Sequence, residues 1–140
     1  MQKLRVLFVC IHNSARSQMA EALLNHLAGD RFEAESAGLE PGILNPLAVE
    51  AMRASGIDIS HKKKKSAFDM FKQGRIFQYV IAVCDEASEK CPIFPSAIKM
   101  LSWSFPDLAA LQGTFEEKLE QTIIIRDQIR LRIASWLDEV

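Results

Sequence analysis

The pattern of apolar and polar positions predicts strands that alternate with helices from the N-terminus onward. Leu4 to Val9 is apolar apart from Arg5, which is typical of a strand buried on both faces of a parallel sheet. A helix is predicted next, with Ser17 as its N-cap and an end near Gly29, and a second strand is predicted from Phe32 to Ala37. The first part of the chain is therefore expected to fold as strand, helix, strand.

The same alternation continues to the C-terminus, with proline breaking the pattern between Asp85 and Thr114. The further predicted elements are a helix from Pro46 to Ser55 capped by Asn45, a helix from Ala67 to Lys72, a strand from Tyr79 to Val83, a fourth strand from Ile98 to Trp103, and a helix from Phe115 to Leu137. Such alternation predicts an α/β fold with a parallel sheet, in which ligand sites gather at the carboxyl ends of the strands.

Length and charge narrow the class of protein. The 140 residues are 49% hydrophobic and suggest one domain, residues 1–140, while 17 basic against 18 acidic residues argue against nucleic acid or an anionic membrane as partner. No apolar run approaches the roughly 18 residues of a membrane span, and the first apolar segment is too short for a signal peptide. We expect a cytoplasmic protein, in which Cys10, Cys84 and Cys91 are not a permanent disulfide framework.

The candidate chemistry lies in the loop between the first strand and the first helix, whose residues are Cys10, Ile11, His12, Asn13, Ser14, Ala15 and Arg16. Backbone N–H groups and the helix dipole at such a junction can bind an anion, and the Arg16 guanidinium can make two parallel hydrogen bonds to it. The same positive field favours a nucleophilic thiolate at Cys10, to which the Ser17 hydroxyl can donate a hydrogen bond. The loop therefore predicts a nucleophilic oxyanion site.

Other interpretations of these residues are weaker. A buried cysteine is often only a small packed hydrophobe, but a polar loop between strand and helix favours the nucleophile. No cysteine pair has zinc-ligand spacing and the three histidines are scattered, so we expect no metal. His12 is predicted to be a solvent-facing loop residue, and the run Lys62 to Lys65 a solvated face of the protein.

Several motifs resemble one known superfamily. Val9-Cys10 together with the segment from Arg16 to Glu21 resembles the active-site loop of the low-molecular-weight protein tyrosine phosphatases. Ser36-Ala37-Gly38, Asn45-Pro46, Gly56 to Ser60, Cys84 with Cys91-Pro92, and Gln112-Gly113-Thr114 are similar, in matching order, to the thioredoxin-coupled arsenate reductases of that superfamily. The resemblance implies a four-stranded parallel sheet flanked by helices on both faces, with the anion loop after the first strand.

The resemblance also implies a function, the detoxification of arsenate by a relay of three thiols. Cys10 would attack arsenate, Cys84 would attack Cys10 and release arsenite, and Cys91 would attack Cys84, leaving a disulfide that thioredoxin reduces. The loop and Arg16 would bind arsenate, with phosphate or sulfate as mimics. Asp107 aligns with the acid that protonates the leaving oxygen, although Leu108 stands where that acid is normally followed by proline. A monomer with no bound cofactor is implied.

The spacing of the last two thiols sets a condition on this relay. Residues seven apart in an intact helix are separated by about 10.5 Å along its axis. The Cα atoms of a disulfide lie within about 7 Å of each other. The segment between Cys84 and Cys91 must therefore loop or unwind before these residues can be oxidised.

A cation site is a second implication of the resemblance. Some relatives bind potassium beside the anion loop through residues matching Asn13, Glu21 and Ser36, and through an acid located where this chain has Lys65. A positive side chain cannot ligate a metal. We expect the Lys65 ammonium to pair with Glu21 in its place.

Two alternatives to a reductase are considered, a phosphatase working through a phosphocysteine and a non-catalytic oxyanion-binding module. A phosphatase does not need Cys84 and Cys91, and the single tyrosine, Tyr79, falls in a predicted strand instead of beside Asp107. The sequence thus favours a reductase with residual phosphatase activity. Glutaredoxin or another thiol stays an alternative to thioredoxin as reductant.

Overall fold

The sheet has the predicted parallel architecture. The computed structural model describes residues 2–140, apart from the side chain of Ser88. Its strands are β1 (Leu4–Cys10), β2 (Phe32–Gly38), β3 (Tyr79–Ala82) and β4 (Lys99–Ser102), all parallel and in the order β2-β1-β3-β4. The four-stranded parallel sheet implied by the sequence is confirmed.

The helices are α1 (Arg16–Ala28), α2 (Pro46–Ala54), α3 (Ala67–Lys72), α4 (Asp85–Lys90) and α5 (Phe115–Glu139). Asn45 caps α2 as predicted, with its side chain accepting from the Leu47 N–H. The prediction of Ser17 as N-cap of α1 was wrong, because α1 begins at Arg16 after Ala15 and without a side-chain cap. None of the helices in residues 2–140 has the length and apolar character needed to cross a membrane.

Both faces of the sheet are covered, as expected for a first strand that is almost entirely apolar. Every residue from Val6 to Cys10 is buried. Phe8 packs on Trp103, which packs on Trp136 of α5. The side chain of Arg5 lies on the opposite face of the sheet from Phe8 and stacks over the Phe77 ring. Phe77 packs on Phe94, which also contacts Phe71 of α3.

The segment that proline was predicted to break is more regular than expected. It contains α4, β4 and a short 3₁₀ turn, Leu108–Ala110. The prolines do not interrupt these elements because Pro92 and Pro95 lie in the connection from α4 to β4, and Pro106 precedes the turn. Cys84 and Cys91 flank α4 as its N-cap and C-cap residues.

Sheet order brings two predicted site residues together. β1 and β3 are neighbours in parallel register, with Val9 opposite Ala82, and the Val83 N–H donates to the Val9 carbonyl at 2.9 Å. Cys10 and Cys84 therefore leave the same edge of the sheet side by side, at the carboxyl ends where ligands bind in α/β folds.

Candidate active site

The backbone of the loop after β1 is held from outside by the segment 39–45. The carbonyl oxygens of Cys10, Ile11, His12 and Ser14 accept hydrogen bonds of 2.7 to 3.1 Å from the N–H groups of Leu39, Glu40, Gly42 and Asn45, respectively. In a trans peptide the next N–H is directed opposite to the carbonyl, so the N–H groups of residues 11, 12, 13 and 15 are turned away from this segment. With the N-terminus of α1 beside them, they form a concavity suited to an anion.

Asn13 and Gly38 fix the shape of this loop. Asn13 is fully buried in the left-handed region with φ of 53°, and its Oδ1 accepts a hydrogen bond from the Ser17 Oγ at 2.9 Å. The Asn13 carbonyl accepts from Gln18 Nε2 at 3.2 Å. A Cβ on Gly38 would lie 2.8 to 2.9 Å from backbone atoms of residues 11–13. The Ser17 hydroxyl, predicted to face the Cys10 sulfur, is thus engaged with Asn13 in this structure.

A cleft of about 360 Å³ opens above the loop. Its lining includes Cys10, Cys84, Arg16, Asp107 and His12. The Arg16 guanidinium donates to the Phe105 carbonyl at 3.0 Å through Nη1, and its Nη2 lies 3.8 Å from Asp107 Oδ1. The Asp107 side chain is 57% exposed, and its Oδ1 accepts from the Ala109 N–H at 3.0 Å. The structure therefore brings the predicted acid, Asp107, and the predicted arginine, Arg16, together at the mouth of the same cleft.

His12 faces solvent, as predicted. Its side chain is exposed at the rim of the cleft, and Nδ1 hydrogen-bonds with the Glu40 carbonyl at 2.9 Å. Since a carbonyl oxygen only accepts, Nδ1 donates in this hydrogen bond.

Cys10 and Cys84 are buried free thiols that line the same cleft. The hydrogen bond from Cys10 lowers the pKa of Cys84 to about 6, while the same hydrogen bond and burial raise the pKa of Cys10. Arg16 and the Ile11 N–H favour the anion on either sulfur. The pair therefore shares one negative charge at neutral pH, and movement of the remaining proton between the sulfurs decides which of them is the nucleophile.

Cys91 lies apart from this pair, at the far end of α4. It is half-buried beside Val80 and Met100, and burial raises the pKa of its thiol to about 11. Cys84 and Cys91 are free thiols separated by one intact helix. The predicted requirement that this segment unwind before the two can bond stays a prediction.

Behind the loop, the buried carboxylate of Glu21 meets two ammonium groups. Glu21 is 2% exposed, with Lys62 Nζ at 2.9 Å and Lys65 Nζ at 3.5 Å, and the Ser36 hydroxyl donates to it at 3.1 Å. The expected pairing of Lys65 with Glu21 is confirmed. The prediction that the whole run Lys62 to Lys65 is a solvated face was wrong for its two ends, because both turn back onto this carboxylate.

Sequence reasoning missed the outer support of the loop. None of the supporting groups was among the predicted site residues. The loop is held by the segment 39–45 and by the Gln18 amide, and Arg16 is held by the Phe105 carbonyl. Gly38 and Gly42 were the available signals, since a Cβ on either would press on residues 11–13.

Comparison with known proteins shows which proteins this chain resembles in sequence and in structure. The family model of the low molecular weight phosphotyrosine protein phosphatases matches residues 5–108. An arsenate reductase of Bacillus licheniformis is 41% identical over 139 residues, which cover 99% of this chain and 98% of that protein. Among solved structures, the thioredoxin-dependent arsenate reductase of Corynebacterium glutamicum superposes with a TM-score of 0.66 and 30% identity, covering 94% of this chain and 62% of that one. A low molecular weight protein tyrosine phosphatase from T. tengcongensis superposes with a TM-score of 0.79 and 25% identity, covering 99% and 100%.

Proposed function

The chain belongs to the low molecular weight phosphotyrosine protein phosphatase family and, within it, groups with the arsenate reductases, and we propose that it reduces arsenate to arsenite with electrons from thioredoxin. One observation above all supports this proposal: Cys84 and Cys10 follow neighbouring strands and line the same cleft at an oxyanion-shaped loop. Hydrolysis of a phosphate ester requires only the first of these sulfurs. A second thiol in contact with the nucleophile supplies the electrons that a reduction needs.

In the first step arsenate lies in the loop, held by the N–H groups of residues 11–16 and by Arg16. The Cys10 thiolate attacks arsenic and a sulfur–arsenic bond forms. One arsenate oxygen leaves as water, protonated by Asp107 at the mouth of the cleft. For Arg16 to grip the oxyanion with two parallel hydrogen bonds, its guanidinium turns from the Phe105 carbonyl toward the loop.

In the second step Cys84 attacks the Cys10 sulfur. A sulfur–sulfur bond forms, the sulfur–arsenic bond breaks, and its electron pair stays on arsenic, which leaves as arsenite. The placement of the two residues at the ends of neighbouring strands, in one cleft, supports this attack. Arg16 and the Ile11 N–H keep the attacking Cys84 anionic.

In the third step Cys91 attacks Cys84 and releases the Cys10 thiolate. Because the two residues flank α4, the helix unwinds for this attack. A helix of six residues has little stability of its own, so its unwinding costs little. Release of Cys91 from its half-buried position also removes the burial that raises its pKa. Thioredoxin then reduces the Cys84–Cys91 disulfide by two electrons, in the cytoplasm and with no bound cofactor.

A phosphatase using a phosphocysteine is the second candidate, since the same loop, Arg16 and Asp107 serve it and one similar structure is a tyrosine phosphatase. We propose that ester hydrolysis is at most a residual activity. The cleft lining contains no tyrosine to stack on an aryl phosphate, because Tyr79 packs edge-on against Trp136 within the core.

The test of the relay is the Cys91→Ser variant. It retains the first two thiols, so one equivalent of arsenate should give about one equivalent of arsenite and then stop. A Cys10–Cys84 disulfide should accumulate, visible by mass spectrometry of unreduced peptides, whereas wild type should show Cys84–Cys91. In wild type, NADPH should be consumed with arsenate, thioredoxin and thioredoxin reductase.

The control is hydrolysis of a phosphate ester by freshly reduced Cys91→Ser, which should persist because it needs Cys10, Arg16 and Asp107 only. Sustained thioredoxin-driven turnover of Cys91→Ser would refute Cys91 as terminal thiol. Turnover of wild type with glutaredoxin but not thioredoxin would reassign the reductant. Ester hydrolysis without arsenate-dependent NADPH consumption would contradict arsenate reduction and would favour the phosphatase.

A further inference from the structure

A segment rich in lysine is connected to the anion loop through two intermediate residues. This lysine segment, residues 62–66, is an irregular connection that leads into α3. Its Lys65 carbonyl accepts a hydrogen bond from the Gly38 N–H at 2.8 Å, and its Lys63 carbonyl accepts one from Gln18 Nε2 at 3.3 Å. Gly38 and Gln18 both contact the loop itself. The lysine segment is therefore one residue away from the groups that face the anion.

Both connections lead to the turn of the loop at Asn13. The Gln18 Nε2 that donates to the lysine segment also donates to the Asn13 carbonyl at 3.2 Å, and Gln18 is only 1% exposed. Gly38 lies so close to the backbone of residues 11–13 that a Cβ does not fit between them. Asn13 has a left-handed backbone with φ of 53°, a conformation that surrounding contacts must support. A movement of the lysine segment would therefore also move the N–H groups on either side of this turn.

The lysine segment is itself held by ion pairs with one buried carboxylate. Glu21 of α1 is 2% exposed, and its Oε2 lies 2.9 Å from Lys62 Nζ while its Oε1 lies 3.5 Å from Lys65 Nζ. Lys65 also lies 3.7 Å from Glu35, whereas Glu21 is the only ion-pair partner of Lys62 within residues 2–140. Removal of one partner from a pair that contains a buried carboxylate is strongly unfavourable, so this contact fixes the segment more firmly than a surface ion pair would.

We propose that Lys62 is a positioning residue for the anion loop and acts through Glu21 and the lysine segment. Its ammonium group fixes the segment on α1. The segment in turn fixes Gln18 and Gly38, which set the direction of the loop N–H groups. The inference rests on the proposed function only in that the loop binds a tetrahedral oxyanion. It does not depend on the relay of thiols.

The experiment measures the Kd of inorganic phosphate by titration calorimetry on reduced protein. Lys62→Met removes the ammonium group and keeps an apolar stem of similar length, so the Kd should rise about tenfold, a common size for coupling between separated groups. Lys62→Arg keeps the cation and should stay within about threefold of wild type.

Lys64→Met is the matched control, because it makes the same change of charge in the same segment on an exposed side chain. Its phosphate Kd should stay within about twofold of wild type. Hydrogen exchange of the Gly38 amide, which donates to the lysine segment, should be accelerated in Lys62→Met but not in Lys64→Met. An increase of the phosphate Kd in Lys64→Met as large as that in Lys62→Met would overturn the proposal.

A double variant separates positioning from a direct effect of charge on the anion. Glu21→Gln removes the partner of Lys62, so adding Lys62→Met to it should raise the phosphate Kd by less than about twofold. A further tenfold rise in this background would show that the ammonium acts directly on the anion, and would overturn the proposal. If Lys62→Met alone does not fold, Glu21→Gln and the double variant, which leave no buried carboxylate unpaired, should both bind phosphate about tenfold more weakly than wild type.

Two further measurements distinguish this inference from a structural role and from the proposed function. A lower free energy of unfolding in Lys62→Met with an unchanged phosphate Kd would mean that Lys62 only stabilises the fold, and would also overturn the proposal. Absence of arsenate-dependent NADPH consumption in a wild type whose phosphate Kd depends on Lys62 contradicts the proposed function alone. Arsenate reduction together with a phosphate Kd that Lys62→Met leaves unchanged contradicts the positioning role alone.

Discussion

Replacing Gly38 with alanine should disable the oxyanion loop without touching any chemically active group. The added Cβ would lie 2.8 Å from the Ile11 carbonyl oxygen and 2.9 Å from the Asn13 nitrogen and the His12 carbonyl carbon. All three are backbone atoms of the loop, so no flexible side chain can move aside. The loop would have to retreat by about 0.6 Å, the difference between 2.8 Å and the 3.4 Å of an ordinary contact.

A shift of this size affects the N–H groups that hold the substrate more than it affects folding. Misplacement of positioning groups by about 1 Å can cost about a hundredfold in rate, so Gly38→Ala should lose about tenfold to a hundredfold in kcat/KM for arsenate. Overpacking should lower the free energy of unfolding by about 1–3 kcal/mol. Thioredoxin-coupled NADPH oxidation measures the first quantity, and urea denaturation the second.

Two other glycines provide matched controls. A Cβ on Gly42 would lie 3.3 Å from the Cβ of His12, about 0.1 Å closer than the 3.4 Å of an ordinary contact, so Gly42→Ala should stay within about twofold of wild type. Gly56 has open space around it but a φ of 84°, so Gly56→Ala should lose about 1 kcal/mol of stability and little activity. If Gly38→Ala retains more than half of the wild-type kcat/KM, the account of the loop is wrong.

Three further predictions concern charge and reactivity. Cys10→Ser should abolish arsenate reduction, and Arg16→Lys should lose at least tenfold, because a point charge cannot replace a two-pronged donor; coupled NADPH oxidation above a tenth of the wild-type rate in either would mean that the loop is misassigned. Activity and Tm should differ little between potassium and sodium salts of equal ionic strength, because the Lys65 ammonium already faces the carboxylate behind the loop; a Tm increase specific to potassium would show a surviving cation site. Alkylation by iodoacetamide should first occur at the Cys10–Cys84 pair and should slow as the pH falls through about 6, where the shared thiolate is protonated. Cys91 should react readily only toward pH 11. Peptide mapping that finds Cys91 alkylated first at pH 7 would contradict this order.

The elements of this fold could be predicted because their signals are local. Burial of β1 on both faces follows from its apolar stretch Val6 to Val9, and α2 begins where Asn45 and Pro46 predict it. The N-terminus of α1 was misplaced for an equally local reason, because serine is a good N-cap residue. Only in the folded chain does the Ser17 hydroxyl have a better partner in Asn13, whose left-handed backbone brings its side chain back to it.

The proposed nucleophile and its arginine could also be predicted from the sequence, since Cys10 and Arg16 belong to one loop between a predicted strand and a predicted helix. The environment of these two residues could not be predicted from the sequence. Cys84 is 74 residues from Cys10 along the chain, and its contact with Cys10 depends on β3 lying next to β1 in the sheet. The lysines that neutralise buried Glu21 are separated from it by more than 40 residues.

Sequence alone therefore determined most of the secondary structure, the position of the candidate anion loop and the proposed attacking sulfur, because periodicity, capping and loop composition act over a few residues. Tertiary structure decided which way the loop N–H groups face, which thiols line the cleft together and which cations pair with the buried Glu21 carboxylate. These properties arise from hydrogen bonds and packing between segments distant in the chain, such as residues 39–45 against residues 10–14. Their strength depends on burial and on distances of a few tenths of an ångström, which only the folded chain defines.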